Sequence, residues 1–242
     1  MRDWQDFVDR VMEPKSQGEI GLIGKYVELH DSYKSITESM IHAGARNEVK
    51  VNVRWIHSEA LSVDNAGESL KGLDAVLVAP GFGSRGFEGK IEAVRIAREQ
   101  GIPFLGICFG MQAAVIEYSR NVLQLKGANS SEVEPDCAQP VIGLMSEQKQ
   151  VTNMGGTMRL GACDCVLSEG SRAKEIYGKD SISERHRHRY EFNNAYLEDL
   201  ASAGMQASGI NPQTGLVEII EVSDHPWFLA VQFHPEYQST VV

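Results

Sequence analysis

Two continuous apolar runs, each followed at once by a glycine-bearing turn and a helical pattern, constrain the fold of this chain most. The run LDAVLVA (residues 73–79) leads into PGFGSRG, and the run IPFLGI (residues 102–107) leads into CFGMQAAVIEYSR. Such runs are typical of strands that are buried on both faces, as in parallel sheets covered by helices. With short connections between strands and helices, the pattern predicts an α/β protein with a mostly parallel sheet flanked by helices.

The rest of the chain extends this pattern in both directions. Strands are predicted at residues 19–26, 48–56, 186–193, 216–222 and 227–234, and helices at about 31–45 and 88–100. The segment from about 126 to 165 is rich in Ser, Asn, Gly and Pro, so we expect a small inserted region of loops and short antiparallel strands there. An apolar stripe at helical spacing near the N-terminus predicts a short helix within residues 1–18, which we interpret as a linker before a domain at 19–242.

Charge and cysteine content limit the class of protein. The 242 residues carry a net charge of −10, which argues against nonspecific binding of nucleic acid and of anionic membranes. We find no apolar stretch long enough to span a bilayer and no signal-peptide pattern at the N-terminus. Four irregularly spaced cysteines do not resemble a secreted disulfide framework, so we expect a reducing cytoplasm as the location.

Cys108 lies in GICFGMQ, between the second apolar run and a helical pattern. This G-x-C-x-G arrangement is the cysteine version of a nucleophile elbow, where the tight turn requires small residues such as Gly106 and Gly110. The N-terminus of the following helix favours a thiolate and supplies free N–H groups that can stabilise an oxyanion. A buried structural cysteine would also fit this pattern when it is taken alone.

A base for this thiol is found near the C-terminus, in AVQFHPEYQS (residues 230–239). Pro235 favours an extended His234, and in an extended segment Glu236 would lie on the same side as His234. Together with the elbow, the segment predicts a Cys108–His234–Glu236 triad, in which Glu236 orients the base of a cysteine nucleophile.

These motifs carry a resemblance to a known family. GICFGMQ and QFHPEY resemble the class I glutamine amidotransferases, which implies a flavodoxin-like fold. Four further stretches resemble the glutaminase domain of the CTP synthase family, and the likeness runs from about Ile20 to Val242; they are GFGSRGFEGK, NVLQLKGANSSEVEPD, MGGTMRLGACDC and ERHRHRYEFNN. Family members also carry an ATP-dependent synthetase domain and a further C-terminal helix, so we expect this sequence to lack the synthetase domain and to be trimmed after HPEY.

The resemblance implies hydrolysis of the glutamine side-chain amide through a thioester on Cys108, with His234 moving protons and Glu236 holding its ring. The released ammonia would serve amination of UTP to CTP in the synthetase domain. The backbone N–H groups of Gly81 and Phe109 would form the oxyanion hole. Where the family commonly reads P-G-G-F-G, this chain has Ala79-Pro80-Gly81-Phe82-Gly83, so the proline cannot donate but Gly81 can.

The resemblance also implies the groups that bind the substrate L-glutamine and an activator. A carboxylate and a guanidinium suit the ammonium and the carboxylate of an amino acid. The implied glutamine-binding residues are Gly81, Phe109, Gly110, Met111, Gln112, Glu132 and Arg189. GTP is the implied activator, with Arg85, Glu88 and Leu160 at positions that match its site. No cofactor is expected in this domain, because ATP and Mg²⁺ would belong to the synthetase domain.

Two pairs of residues could suggest a metal, but neither has an obvious completing ligand set. They are His186 with His188 and Cys163 with Cys165, and we expect no metal. In an extended segment, Arg185, Arg187 and Arg189 would share one face and the two histidines the other.

Two other interpretations of the chain stay open from the sequence. One is the glutaminase subunit of another class I amidotransferase, or a hydrolase on the same scaffold. The other is a noncatalytic binding or assembly module, which would not need the triad residues that this chain carries.

Overall fold

The apolar runs form strands at the centre of a large sheet. The computed structural model describes residues 2–144 and 158–241. The first part of the chain contributes four strands, which are β1 (Ser16–Gly24), β2 (Val49–His57), β3 (Ala75–Val78) and β4 (Phe104–Ile107). They pair in parallel in the order β2-β1-β3-β4, as the sequence predicts.

Helices alternate with these strands and cover both faces of the sheet. They are α1 (Arg2–Met12), α2 (Lys34–Asn47), α3 (Ala66–Ser69), α4 (Phe87–Gln100) and α5 (Phe109–Asn121), followed later by α6 (Arg172–Tyr177) and α7 (Leu197–Ser202). Successive side chains of a strand point to opposite faces. Val76 and Val78 accordingly pack in the core formed with α4 and α5, whereas Leu77 packs in the core that contains Ile36 and Met40 of α2.

In the described part of the chain eight later strands follow, and five of them extend the large sheet. The eight strands are β5 (Ala128–Ser130), β6 (Gln139–Gly143), β7 (Arg159–Leu167), β8 (Ser181–His188), β9 (Glu191–Phe192), β10 (Met205–Ile210), β11 (Val217–Val222) and β12 (Phe228–Val231). Within the described ranges, the large sheet has nine strands in the order β2-β1-β3-β4-β12-β11-β10-β7-β8. Strand β12 pairs in parallel with β4, and from β12 to β8 every pairing is antiparallel.

The inserted region differs in detail from the expectation. Strands β5 and β6 pair in parallel, and β6 pairs antiparallel with β9 to form a small second sheet. Strand β7 begins within the predicted insertion but belongs to the large sheet, because its residues find backbone partners along β8. The motif residues 154–157 lie outside the described part of the chain.

The N-terminal helix packs against α2. Phe7 of α1 meets His42 of α2 at a ring distance of 5.9 Å. Strand β1 starts at Ser16, which pairs with Val49, so the paired strand begins inside the range 1–18. Among the helices that the structure describes, none is long and apolar enough to cross a membrane.

Candidate active site

Cys108 occupies a strained turn between β4 and α5. Its backbone angles are φ 54° and ψ −103°, in a region that costs a non-glycine residue on the order of 1–3 kcal/mol. The Cys108 N–H donates to the Val231 carbonyl at 2.7 Å, which ties the turn to the end of β12. Only 2% of Cys108 is exposed. The structure therefore has the strand–turn–helix geometry that the sequence predicts for a nucleophile elbow.

The two glycines around Cys108 are required by close backbone approach. A Cβ on Gly110 would lie 2.2 Å from the Val78 carbonyl oxygen, and a Cβ on Gly106 would lie 2.8 Å from the backbone of Gly110. Neither position has room for a side chain. This confirms the prediction that both residues must be small, because backbone atoms occupy the space that a side chain would need.

His234 and Glu236 meet directly beyond the end of β12. Nδ1 of His234 is 2.7 Å from Oε1 of Glu236, and the residues are 4% and 8% exposed. The predicted contact is present, but the predicted extended segment is wrong. Residues Pro235–Tyr237 form a 3₁₀ turn instead, with Pro235 at its first position, where the fixed φ of proline suits a helical turn. The ring of Tyr237 stacks on His234 at 4.8 Å with an interplanar angle of 6°.

The surroundings of His234 favour its protonated form. Burial works to lower the pKa of His234, but the Cys108 side chain and the Glu236 carboxylate outweigh burial and raise the pKa to about 10. A cationic imidazole beside Cys108 stabilises negative charge on the sulfur. The structure thus brings the three predicted triad residues into one electrostatic unit.

Two buried glutamines lie against this unit, and sequence reasoning missed one of them. Nε2 of Gln232 is 3.8 Å from the sulfur of Cys108. Nε2 of Gln112 is 3.4 Å from Oε1 of Gln232 and 3.1 Å from the Tyr190 carbonyl. Gln232 is two residues before His234 in the predicted strand 227–234, so period-two alternation was the signal that could have placed it at the site.

Gly81 adjoins the elbow in the loop after β3. A Cβ on Gly81 would lie 3.7 Å from the ring of Phe109, the residue that follows the nucleophile. The Phe109 ring itself stacks on Phe87 at 4.3 Å in the core. The structure therefore brings together the two residues whose N–H groups the family resemblance assigns to an oxyanion hole.

A lysine that sequence reasoning missed lies under this loop. Lys90 of α4 is 1% exposed, and its Nζ donates to the carbonyls of Ala79 at 2.5 Å and Pro80 at 3.3 Å. Burial lowers the pKa of Lys90 to about 7, with the charge of Lys25 adding to the effect. Lys90 is three residues after Phe87 and four before Val94, which places it on the buried face of α4. This spacing was the sequence signal that could have identified it.

Glu132 and Arg189, the predicted partners of the glutamine head group, interact electrostatically. Oε1 of Glu132 accepts the Gly83 N–H at 2.8 Å, which fixes the carboxylate against the loop. Burial raises the pKa of Glu132, and the hydrogen bond from Gly83 and the charge of Arg189 oppose that rise. The side chain of Met111, another predicted pocket residue, is fully buried in the core with α4.

The three residues assigned to an activator site do not share one element. Arg85 pairs with Glu59 at 2.7 Å, and Glu88 pairs with Arg120 at 2.8 Å, both near the start of α4. Leu160 is on β7 and is 63% exposed.

The alternation predicted for this segment is confirmed over residues 185–188, whereas Arg189 follows the end of β8 and is half-buried. His186 and His188 are buried, whereas Arg185 and Arg187 are exposed. The two histidine rings are joined by a 2.8 Å contact between Nδ1 of His186 and Nε2 of His188. Arg159 of β7 bonds Glu218 of β11 at 2.5 Å beside them.

In residues 2–144 and 158–241, no three His, Cys, Asp or Glu side chains are grouped so that they could hold a metal ion.

Comparison with known proteins assigns the arrangement to a family. The family model for glutamine amidotransferase class-I matches residues 28–242. The chain belongs to the class I glutamine amidotransferase family. A solved structure, the glutaminase domain of Trypanosoma brucei CTPS with bound acivicin, matches this amidotransferase with a TM-score of 0.87 and 39% identity, over 93% of this chain and 88% of that one. The chain is thus a class I amidotransferase of the kind found as the glutaminase domain of CTP synthases.

Curated relatives give the same assignment. The amidotransferase is 65% identical over 238 residues to CTP synthase of Christiangramia forsetii and 63% identical over 242 residues to CTP synthase of Flavobacterium psychrophilum. These matches cover 98% and 100% of this chain but 44% and 45% of the relatives. The chain therefore spans less than half the length of the curated relatives it matches.

Proposed function

We propose that this chain hydrolyses the side-chain amide of L-glutamine through a covalent intermediate on Cys108. The observation that carries the proposal is the buried His234–Glu236 pair beside a cysteine held at a strained elbow. A nucleophile, a base and a group that orients the base are the parts that covalent acyl transfer requires. The relatives are named CTP synthases, which supports glutamine as the amide.

In the acylation step, the Cys108 thiolate attacks the carboxamide carbon and the carbonyl electrons move to oxygen. The N–H groups of Gly81 and Phe109 stabilise that oxyanion. Protonated His234 then donates its proton to the departing nitrogen, so ammonia leaves and a γ-glutamyl thioester remains. The raised pKa of His234 keeps a proton on the ring for this step.

Deacylation reverses the role of His234. Once the sulfur is acylated it carries no negative charge, so one of the two influences that raise the pKa of His234 is lost. The pKa of His234 therefore falls and the ring stays neutral after it has given up its proton. The neutral ring then activates the water that cleaves the thioester into glutamate and free thiol. Glu236 holds the ring orientation through both steps.

We place the glutamine head group between Glu132 and Arg189, with the substrate ammonium on the carboxylate and its α-carboxylate on the guanidinium. The charge interaction between these residues supports their presence in one pocket. Gly110, Met111 and Gln112 would line the pocket, Met111 through its backbone because its side chain lies in the core.

The partner of this glutaminase is proposed to be a CTP synthase synthetase domain that aminates UTP with the released ammonia, using ATP and Mg²⁺. The names and greater length of the relatives support this. Residues 1–18 are the proposed connection to it, with the amidotransferase domain at 19–242. GTP is the proposed activator at Arg85, Glu88 and Leu160. The four cysteines, all unpaired, suit the cytoplasm as the proposed location.

The first test is intact-mass spectrometry after exposure to 6-diazo-5-oxo-L-norleucine, a glutamine analogue that alkylates an attacking thiol. We expect one adduct on the wild-type chain and none on Cys108→Ala. The matched control is Cys137→Ala, which removes a partly exposed thiol elsewhere and should keep the adduct. An adduct that persists in Cys108→Ala, or none on the wild-type chain, would refute the proposal.

A further inference from the structure

Lys90 is a buried cation whose contacts are with the backbone of the loop after β3. Lysine is almost never fully buried unless it is paired, because desolvation of an ammonium is costly. Within the described part of the chain, no carboxylate pairs with Lys90. Its ammonium contacts the carbonyls of Ala79 and Pro80 and the ring of Phe109, at 5.2 Å from the ring centroid. Such a costly arrangement needs an explanation beyond filling space.

The loop is held by three charged side chains. Besides Lys90, the Nζ of Lys25 donates to the Phe82 carbonyl, and Glu132 accepts the Gly83 N–H. Among the described residues, no acceptor is found for the Gly81 N–H. The charged groups therefore fix neighbouring peptides and leave the Gly81 N–H available.

Gly81 also lies beside the Lys90 ammonium. A Cβ on Gly81 would lie 3.4 Å from the Nζ of Lys90, so the ammonium sits beside its Cα. The carbonyl of Pro80 and the N–H of Gly81 belong to the same peptide unit, which is planar. A hydrogen bond to that carbonyl consequently fixes the direction of the N–H and polarises it toward a stronger donor.

We propose that Lys90 is a positioning residue that orients and polarises the Pro80–Gly81 peptide, so that the Gly81 N–H can stabilise the oxyanion of the acyl-transfer step. The inference rests on the proposed glutaminase function. It assigns to Lys90 a task that differs from those of the triad, since Lys90 acts on the substrate only through Gly81.

The task also relates to Pro80. Proline cannot donate a hydrogen bond, so Gly81 carries the loop's share of oxyanion stabilisation alone. Correct orientation of one peptide then matters more than in a loop with two adjacent donors. Lys90 contacts the carbonyls on both sides of Pro80, which is where such an orientation must be imposed.

The kinetic test compares Lys90→Met, Lys90→Gln and Arg95→Met. Methionine fills similar volume without a donor, glutamine restores a neutral donor, and Arg95 lies on the same helix but pairs with Glu92 and Glu99 of that helix. Removal of an oxyanion donor costs about 10²–10³ in kcat, so we expect Lys90→Met to lose about 10- to 100-fold in kcat for glutamine with KM within about threefold. Lys90→Gln should recover part of the loss, and Arg95→Met should match wild type.

A second measurement reads the peptide itself and needs no activity. Gly81 is the only glycine that follows a proline in the sequence, so a chain labelled with ¹³C-carbonyl proline and ¹⁵N glycine gives a single correlated signal, from the Pro80–Gly81 peptide. We expect the Pro80 carbonyl and Gly81 amide proton signals to move upfield in Lys90→Met. In wild type, they should titrate near the pKa of Lys90, about 7, with Lys25 and Cys108 as its charged neighbours.

The outcomes separate this inference from the proposed function. Active wild type with equal kcat in Lys90→Met, or a peptide signal that the substitution leaves in place, overturns the role of Lys90 and leaves the glutaminase standing. Wild type without glutaminase activity refutes the proposed function and, with it, the catalytic part of the inference, whatever the peptide signal does. If Lys90→Met unfolds at a lower temperature than wild type, the kinetics of Lys90→Gln are used instead. A loss in its kcat at unchanged KM supports the inference, and wild-type kcat overturns it.

Discussion

His234 and His188 are buried to nearly the same extent, at 4% and 2% exposure, yet their surroundings shift their pKa values in opposite directions. Cys108 and Glu236 outweigh burial and raise the pKa of His234 to about 10. Burial, followed by the charge of Arg159, lowers the pKa of His188 to about 3, although its bond to the Tyr190 carbonyl opposes that shift. The comparison shows that neighbouring charges and hydrogen bonds, more than the depth of burial, decide whether a buried imidazole is charged.

The largest expected effect comes from replacing each histidine by glutamine. His234→Gln should reduce glutamine hydrolysis by about 10²–10⁴, because the proposed proton donor to ammonia is lost. His188→Gln should stay within about fivefold of wild type, since His188 supports the site without meeting the triad sulfur. Ammonia release under saturating glutamine measures both, and equal losses would remove the distinction between the two histidines.

Glu236→Gln should have the next largest effect. Loss of the carboxylate removes one influence that raises the pKa of His234, so that pKa falls and the ring loses its proton at lower pH. We expect a loss of about 10- to 100-fold in kcat and an alkaline limb of the pH–rate profile that moves to lower pH. A profile that keeps its alkaline limb in place would contradict this account of His234.

Unfolding free energy should depend on pH in opposite senses at the two sites. His234 has a folded pKa above the ordinary value of 6.5, so its stabilisation is present below 6.5 and is lost as pH rises toward 10. His188 has a folded pKa below 6.5, so stability is lost as pH falls from 6.5 toward 3. Each histidine changes the unfolding free energy by at most about 1.4 kcal/mol per pH unit.

Urea denaturation across pH therefore tests the comparison directly. His234→Gln should flatten the alkaline side of the stability curve, and His188→Gln should flatten the acid side. A substitution that flattens the wrong side, or neither side, would show that the charge states are assigned incorrectly.

The smallest effect is expected for the ring that stacks on His234. Tyr237→Leu should lower the rate of glutamine hydrolysis about 3- to 10-fold, because an aromatic pair is worth about 0.5–1.5 kcal/mol and its loss frees the imidazole to turn. Tyr237→Phe keeps the ring and should retain wild-type activity. If the phenylalanine variant falls as far as the leucine variant, the hydroxyl rather than the stack is responsible.

The elbow and the central strands could be predicted from the sequence because their signals are local. Apolar runs at β3 and β4, and glycines two residues to either side of Cys108, specify a strand, a tight turn and a helix within a few residues. The triad partners could be named because His234 and Glu236 are two residues apart, even though the predicted extended segment proved to be a 3₁₀ turn.

Lys90 and Gln232 were missed for a different reason. Each carries a polar group that a single-sequence reading assigns to solvent, and only the packing of α4 under the loop and of β12 beside β4 brings them to the elbow. The antiparallel half of the sheet was likewise incompletely predicted. Strand β7 was expected in the insertion, because pairing partners far apart in sequence leave no local mark.

By itself, the sequence determined the parallel core, the predicted nucleophile and its predicted proton partner, since close backbone approach and strand burial leave signals in neighbouring residues. The tertiary structure alone decided the charge of His234, the burial of Lys90 and the neutrality of His188. Those properties are set by desolvation and by charges that lie far away along the chain and close in space, and their energies exist only after the chain has folded.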